Sequence, residues 1–316
     1  MTAPENLDLL SPTLDPDLAH LAVGLFSRLD RLAALLEADA DAGAVRAASV
    51  DWHGAHAFRW VPDRRARGDA GRLVPVPAPA LISFDALANI ERQVALVRQN
   101  TRQFVLGHPA NNVLLTGARG TGKSSLVKAC LHAFAARGLR LVEVGKDGLD
   151  ALPMLFELLR GRPERFIVSC DDLSFEAGET GYKALKTVLD GSIAGGAPNV
   201  LIYATSNRRH LVPEQASDNA AHTLDEHGEL HPGDAVEERI SLSERFGLWV
   251  TFYGFSQDEY LRVVDARLHA QGYAEPEREA ARQPALQWAL QRGARSGRIA
   301  VQFVQDYVGR RASDAA

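Results

Sequence analysis

Eight residues limit what this chain can fold into more than any other stretch: Gly117-Ala118-Arg119-Gly120-Thr121-Gly122-Lys123-Ser124, GARGTGKS. They fit GxxxxGK(S/T) at every fixed position, a pattern whose mechanism needs a strand before it and a helix after it. The flanks supply both. NVLLT at 112–116 is an apolar strand candidate. Beyond the loop, Leu126, Cys130 and Phe134 recur on one helical face, and Gly138 stands where a C-terminal cap belongs. In that setting the glycines let the loop fold tightly, so that successive backbone N–H groups converge on phosphate oxygens. The helix N-terminus at Gly122–Ser125 adds its partial positive charge. Lys123 is expected to reach the β- and γ-phosphates, and the Ser124 hydroxyl to ligate Mg²⁺. The bland alternative is a glycine-rich turn without a ligand, and the flanking strand and helix count against it.

A second stretch, RFIVSCDDL at 165–173, ends an apolar run on two adjacent carboxylates. Side by side, like charges repel, and each costs free energy to desolvate. A metal beside a phosphate resolves the conflict. Asp171 is then the carboxylate that holds Mg²⁺, and Asp172 is left to polarise an attacking water. Alone, the pair also suits a strand-end turn or a helix N-cap.

The fold class follows from the order of patterns. Strand candidates recur at 112–116, 139–144, 166–170, 200–205 and 248–252, with helical stretches between. They are apolar almost throughout, as a parallel sheet covered on both faces requires. The expectation is an α/β protein with a doubly wound, parallel, five-stranded P-loop sheet. A helix is expected from Ser83 to Leu106. After residue 256, QDEYLRVVDARLHAQG, PALQWALQRG and RIAVQFVQDYVGRR predict a small all-helical domain. Upstream, residues 15–38 carry a helical period, FRWV at 58–61 is a short strand candidate, and LVPVPAPALIS at 73–83 reads as a proline-rich linker or strap. This gives three parts: a partner-recognition region over 1–80, a nucleotide-binding domain over 81–255, and a helical lid over 256–316. The acidic segment 213–238 reads as a surface insertion.

Composition narrows the class further. The chain has 316 residues, 46% apolar and 24% charged, with a formal net charge of −5, which argues against non-specific coating of nucleic acid. The start, MTAPENLDLLSP, lacks a signal-peptide layout, and no apolar run reaches the roughly 18 residues of a membrane span. Two cysteines without CxxC spacing read as buried thiols in a cytoplasmic protein. His53 and His56, and likewise His222, His227 and His231, lack the count or scaffold of a convincing metal site.

From about 83 to 311 the chain resembles the AAA+ superfamily of ATPases. The resemblance rests on the phosphate loop together with ATSN at 204–207, SLSERFGLWVTFY at 241–253, the helical lid, and SGRIA at 296–300. It implies that Asn207 ends a central strand beside the nucleotide. It implies that Arg245 reaches a neighbouring subunit's γ-phosphate in a homo-oligomer, in a stretch similar to that of the bacterial Holliday-junction branch-migration motor. It implies that Arg298 faces the nucleotide from the lid. NTRQFV, ANNVLLTG, CDDLSFE and ATSNRRHL look most like a bacterial domain-of-unknown-function branch. The departure is Asp172, where the superfamily usually has glutamate. One methylene fewer sets the carboxylate back by roughly 1.3–1.5 Å, and an offset of that size can change a rate by ~10²-fold. A shifted backbone, slow hydrolysis, or Glu176 entering from the following loop are the three ways out.

The bland readings stay beside these. Arg245 also suits a surface position, Arg298 a carboxylate pair, and Asn207 a strand-end turn. Arg208 and Arg209 have no ranked role. Three functions stay open: an ATPase that remodels or loads a protein or nucleoprotein partner, a nucleotide-gated switch with very slow turnover, and a P-loop kinase for a small acceptor. The kinase lacks a visible acceptor pocket.

Overall fold

The computed structural model describes residues 28, 50–52, 54–63, 71–175, 180–190, 197–207, 223–224, 230–231 and 242–314. The chain divides into two compact units, Met1–Val50 and Asp51–Ala316. Of the first, only position 28, which is helical, and position 50 are described. The helical period at 15–38, Glu176, Arg208, Arg209, His53, His222 and His227 otherwise lie outside the described residues.

The second unit is built on one sheet. Its strands are β1 (Ala57–Pro62), β2 (Gly71–Pro75), β3 (Val113–Gly117), β4 (Leu139–Val144), β5 (Arg165–Cys170) and β6 (Val200–Ser206). After them come β7 (Thr223–Leu224), β8 (Leu230–His231) and β9 (Leu248–Phe252). Seven of these form a sheet in the order β2-β1-β4-β5-β6-β3-β9, and β7 and β8 pair as a separate antiparallel ribbon. All neighbours in the large sheet run parallel except β1 and β2. The five expected strands form as a contiguous parallel block. Two more extend it, which corrects the strand count and the boundary near residue 80: Phe58 pairs with Val142 of β4, so residues 57–75 belong to the sheet. The proline-rich stretch that reads as a linker begins as edge strand β2, where Pro75 is tolerated because one edge makes no ladder.

Burial on both faces explains the apolar strands. On one face Val113, Leu115, Leu201, Tyr203, Val250 and Phe252 pack against the helices Glu91–Val105 and Lys123–Phe134. The alternating residues Leu114, Phe166, Val168, Ile202 and Ala204 are fully buried as well. Alternation sends successive side chains to opposite faces, so a sheet covered twice has no polar side.

The helix expected from Ser83 breaks. A short 3₁₀ turn at Phe84–Ala86 is followed by a gap, and the α-helix begins at Glu91. Asn89 is the cause: its φ is 67°, which no α-helix admits. After β9 come four helices, Gln257–Ala270, Glu275–Ala280, Arg282–Gln291 and Gly297–Asp314, one more than the sequence pattern shows. The first opens on a capping box, Ser256 with Glu259. They share their own core around Tyr260, Val264, Leu268, Ala285 and Phe303. Among the described residues no helix is long and apolar enough to cross a membrane.

Candidate functional site

The phosphate loop leaves β3 at Gly117, whose φ of 122° only glycine holds without strain. A Cβ there would lie 1.8 Å from the carbonyl oxygen of Phe252 on β9. That closeness lets Ala118 N–H donate to the same oxygen at 3.1 Å, which fixes the start of the loop. Gly120, at φ 74°, is constrained from the other side: a Cβ would lie 2.7 Å from Ser296 Oγ. The loop is therefore pressed between sheet and lid, and its middle stays bare backbone.

Lys123 opens the following helix and is 6% exposed. Its Nζ donates to the carbonyls of Gly117 and Ala118, both at 2.7 Å, and to Asn207 Oδ1 at 3.1 Å. Burial lowers its pKa, opposed by the nearby charges of Asp171 and Asp172. A buried ammonium places a positive charge under any anion over the loop, and exchanging one of its three neutral acceptors would let it donate to that anion.

The acidic pair sits across β6 from the loop, not on the adjoining strand, because β6 runs between β3 and β5. Ser124 Oγ donates to Asp171 Oδ1 at 2.7 Å, which brings a hydroxyl and a carboxylate together. Oxygen ligands of this kind suit Mg²⁺ rather than a softer metal. Thr205 Oγ1 also donates to Asp171 Oδ1, and Asn207 Nδ2 donates to Asp172 Oδ1. Asp172 has a left-handed backbone, φ 54°. Glu176, one of the three ways out named above, lies outside the described residues. A sequence gives no sign of Thr205's part, since threonine is common in any strand.

A cleft of about 670 Å³ gathers most of the candidate residues. Arg119, Gly120, Thr121, Gly122, Lys123, Ser124 and Ser125 line it, with Asp171, Asp172, Asn207 and Arg298. Gly117 and Ala118 stand behind, offering their carbonyls to Lys123. Beyond the polar end, Ile82, Leu87, Ile90, Phe255, Val263 and Val301 form an apolar wall suited to a flat ring. Lys128 and Arg267 also line the cleft, and no motif marks them. The lid closes on the loop through Arg298 N–H, which donates to Gly120 O at 3.2 Å. It is tied a second time by Asn89, whose Nδ2 donates to Glu259 O at 2.8 Å and whose Oδ1 accepts from Arg262 Nε at 3.0 Å.

Arg245 does not join this cleft. It follows the short helical turn before β9 and forms an ion pair with Asp190, the last residue of the helix Thr180–Asp190. A carboxylate at a helix C-terminus is electrostatically disfavoured, and the guanidinium offsets that.

The glycine cradle, the buried ammonium and the hydroxyl–carboxylate pair together fit a nucleotide triphosphate with magnesium. Comparison with known proteins gives little beyond the fold. A thymidylate kinase of Rhizorhabdus wittichii is 36% identical over 80 residues, 24% of this chain and 38% of the kinase. A RuvB mutant of Thermotoga maritima aligns at 14% identity and TM-score 0.46, covering 71% of this chain and 64% of that one. The Aeropyrum pernix ORC1 protein, solved in complex with DNA, aligns at 14% identity and TM-score 0.46, covering 76% and 63%. The chain thus spans less than two thirds of each, and scores below 0.5 add nothing to what its strand order shows by itself. A family model is decisive where these are not: the family described as "Protein of unknown function (DUF815)" matches residues 53–311, nearly the whole sheet and lid, and the chain belongs to that family.

Proposed function

We propose that the cleft binds ATP with Mg²⁺ and hydrolyses it, and that this cycle drives a homo-oligomer to remodel or load a protein or nucleoprotein partner. The observation that carries the first half is the convergence of Lys123, Ser124 and Asp171 at the mouth of a bare-backbone loop under a helical lid. The loop's N–H groups and Lys123 would hold the β- and γ-phosphates, Ser124 and Asp171 would hold the metal, and the apolar wall would hold the base. Mg²⁺ held by these residues would supply neutralisation of phosphate charge. Asp172 would accept a proton from the water that attacks the γ-phosphorus, as the bond to the β-phosphate oxygen breaks and ADP leaves. Asn207, bonded to both Asp172 and Lys123, would orient that water. Arg298 would sense the nucleotide from the lid, so that closure follows binding and loosening follows release.

Arg245 lies away from its own chain's cleft, which supports a role at a neighbour's γ-phosphate. Of the region 1–80, the part outside the sheet strands at 57–62 and 71–75 is what we assign to partner contact. One observation favours a second reading, a switch with very slow turnover: the left-handed Asp172 already has its carboxylate engaged by Asn207. Phosphate release from ATP and Mg²⁺, with no acceptor added, decides among the readings. Release that Asp172→Asn abolishes supports the ATPase. ATP binding without release, in wild type and variant alike, supports the switch, and release that begins only with an added acceptor supports a kinase. Mixing Lys123→Ala with Arg245→Ala chains tests the shared site, because only a trans arginine restores activity to the mixture.

A further inference from the structure

Strand β6 separates the strand that carries the phosphate loop from the strand that carries the acidic pair. Whatever ends β6 is therefore wedged between them. Thr205 lies near the end of β6 and Asn207 just beyond it, and both line the cleft. Thr205 is 2% exposed, and its hydroxyl works in both directions. It donates to Asp171 Oδ1 and accepts from the backbone N–H of Asp172 at 2.9 Å. Its carbonyl accepts from Leu173 N–H at 2.7 Å. One residue thus holds the side chain of the first aspartate and the main chain on either side of the second.

That grip bears on the unusual residue of the site. Asp172 sits at φ 54°, a region that aspartate and asparagine enter more readily than longer side chains do. We propose that Thr205 is a positioning residue that sets the metal-binding carboxylate of Asp171 and the left-handed turn at Asp172 together, so that the second acidic position is matched to aspartate and not to glutamate. This rests on the magnesium–ATP reading above. A buried hydroxyl has one proton to give and lone pairs to receive with. Here the proton goes to Asp171 and a lone pair meets Asp172 N–H. Valine keeps the β-branch and can do neither. Serine loses the methyl group and can do both.

Three variants of the full chain test this: Thr205→Val, Thr205→Ser and Asp172→Glu. Without any ligand, amide hydrogen exchange over residues 171–173 should accelerate about tenfold in Thr205→Val, the factor expected for one lost hydrogen bond, and stay near wild type in Thr205→Ser. Titration of ATP at stepped magnesium should show Thr205→Val needing ~10–100-fold more metal for the same gain in affinity, the usual loss when a ligand's supporting partner is removed. With a chelator present, its ATP affinity should match wild type, because the loop is intact. Asp172→Glu should release phosphate no faster than wild type. Wild-type exchange and magnesium dependence in Thr205→Val would overturn the assignment. So would equal damage in Thr205→Ser, which would make the methyl group the cause. Turnover in Asp172→Glu several-fold above wild type would overturn the matching to aspartate. A wild-type chain that binds no ATP with magnesium overturns the functional reading and the metal half of this one, and the ligand-free exchange then decides the turn at Asp172 alone.

Discussion

On the sheet side of the cleft, Lys123, Ser124, Asp171, Thr205, Asp172 and Asn207 are joined through side-chain hydrogen bonds into one network. On the lid side, a main-chain bond from Arg298 meets the loop, and the side chain of Asn89, just before the helix Glu91–Val105, bonds to Glu259 and Arg262. Linked polar groups brace one another, because removing one member takes a partner from its neighbours. Isolated bonds at a seam break at small expense. The difference teaches where motion belongs. On the reading proposed above, the sheet side would hold chemistry in a fixed geometry, and the lid would be the part free to report on it.

Substitutions on the two sides should then differ in kind as well as size. Asp171→Asn should cut phosphate release by about 10²–10³-fold, the scale for losing a charge that stabilises a transition state, with the fold intact by circular dichroism. If Asp171→Asn turned over normally, the sheet side would not be the chemical side. Arg298→Ala should lower turnover by roughly tenfold, in line with a single exposed charge contact to phosphate, and should weaken lid closure measured by limited proteolysis. Equal losses from Arg298→Ala and Asp171→Asn would erase the comparison. Asn89→Ala should cost about 1–2 kcal/mol of unfolding free energy, for two lost bonds and a left-handed backbone without its asparagine. Asn89→Gly, which keeps the backbone conformation, separates those two contributions.

Alkaline pH gives the smallest and broadest test. Burial pushes the thiols of Cys130 and Cys170 up from 9.0 to about 12, and Asp171 adds to the effect at Cys170. Burial pushes Tyr260, in the lid core, up from 10.0 to about 12. The unfolded chain releases these protons first, so stability is full below pH 9.0 and falls as pH rises toward 12. The sheet half should begin to weaken about one pH unit before the lid. Urea titrations of wild type and Cys170→Ala across that window check it, and a flatter decline is expected in the variant.

Much of this was legible in the sequence because it is written in short-range patterns. The parallel strands announce themselves as apolar runs, and the loop as a fixed spacing beside one of them. What depends on distant partners leaves no such mark. FRWV reads as a strand, yet nothing local says that Phe58 pairs with Val142. Pro75 and its neighbours look like a linker and serve as an edge. Thr205 is an ordinary strand residue until β6 is placed between β3 and β5. Asn89 interrupts a helical period that sequence alone would continue, and its reason lies on the lid, at Glu259 and Arg262. Asp190 as the partner of Arg245 is equally invisible, 55 positions away in sequence.

Calorimetric titration of the full chain with ATP in magnesium, set beside Lys123→Ala, addresses the central claim most directly. The account predicts saturable binding at one site per chain, lost or weakened by at least ~10²-fold in the variant, since a buried charged donor to phosphate is removed. Absence of binding by the wild-type chain, or equal affinity in Lys123→Ala, would contradict it.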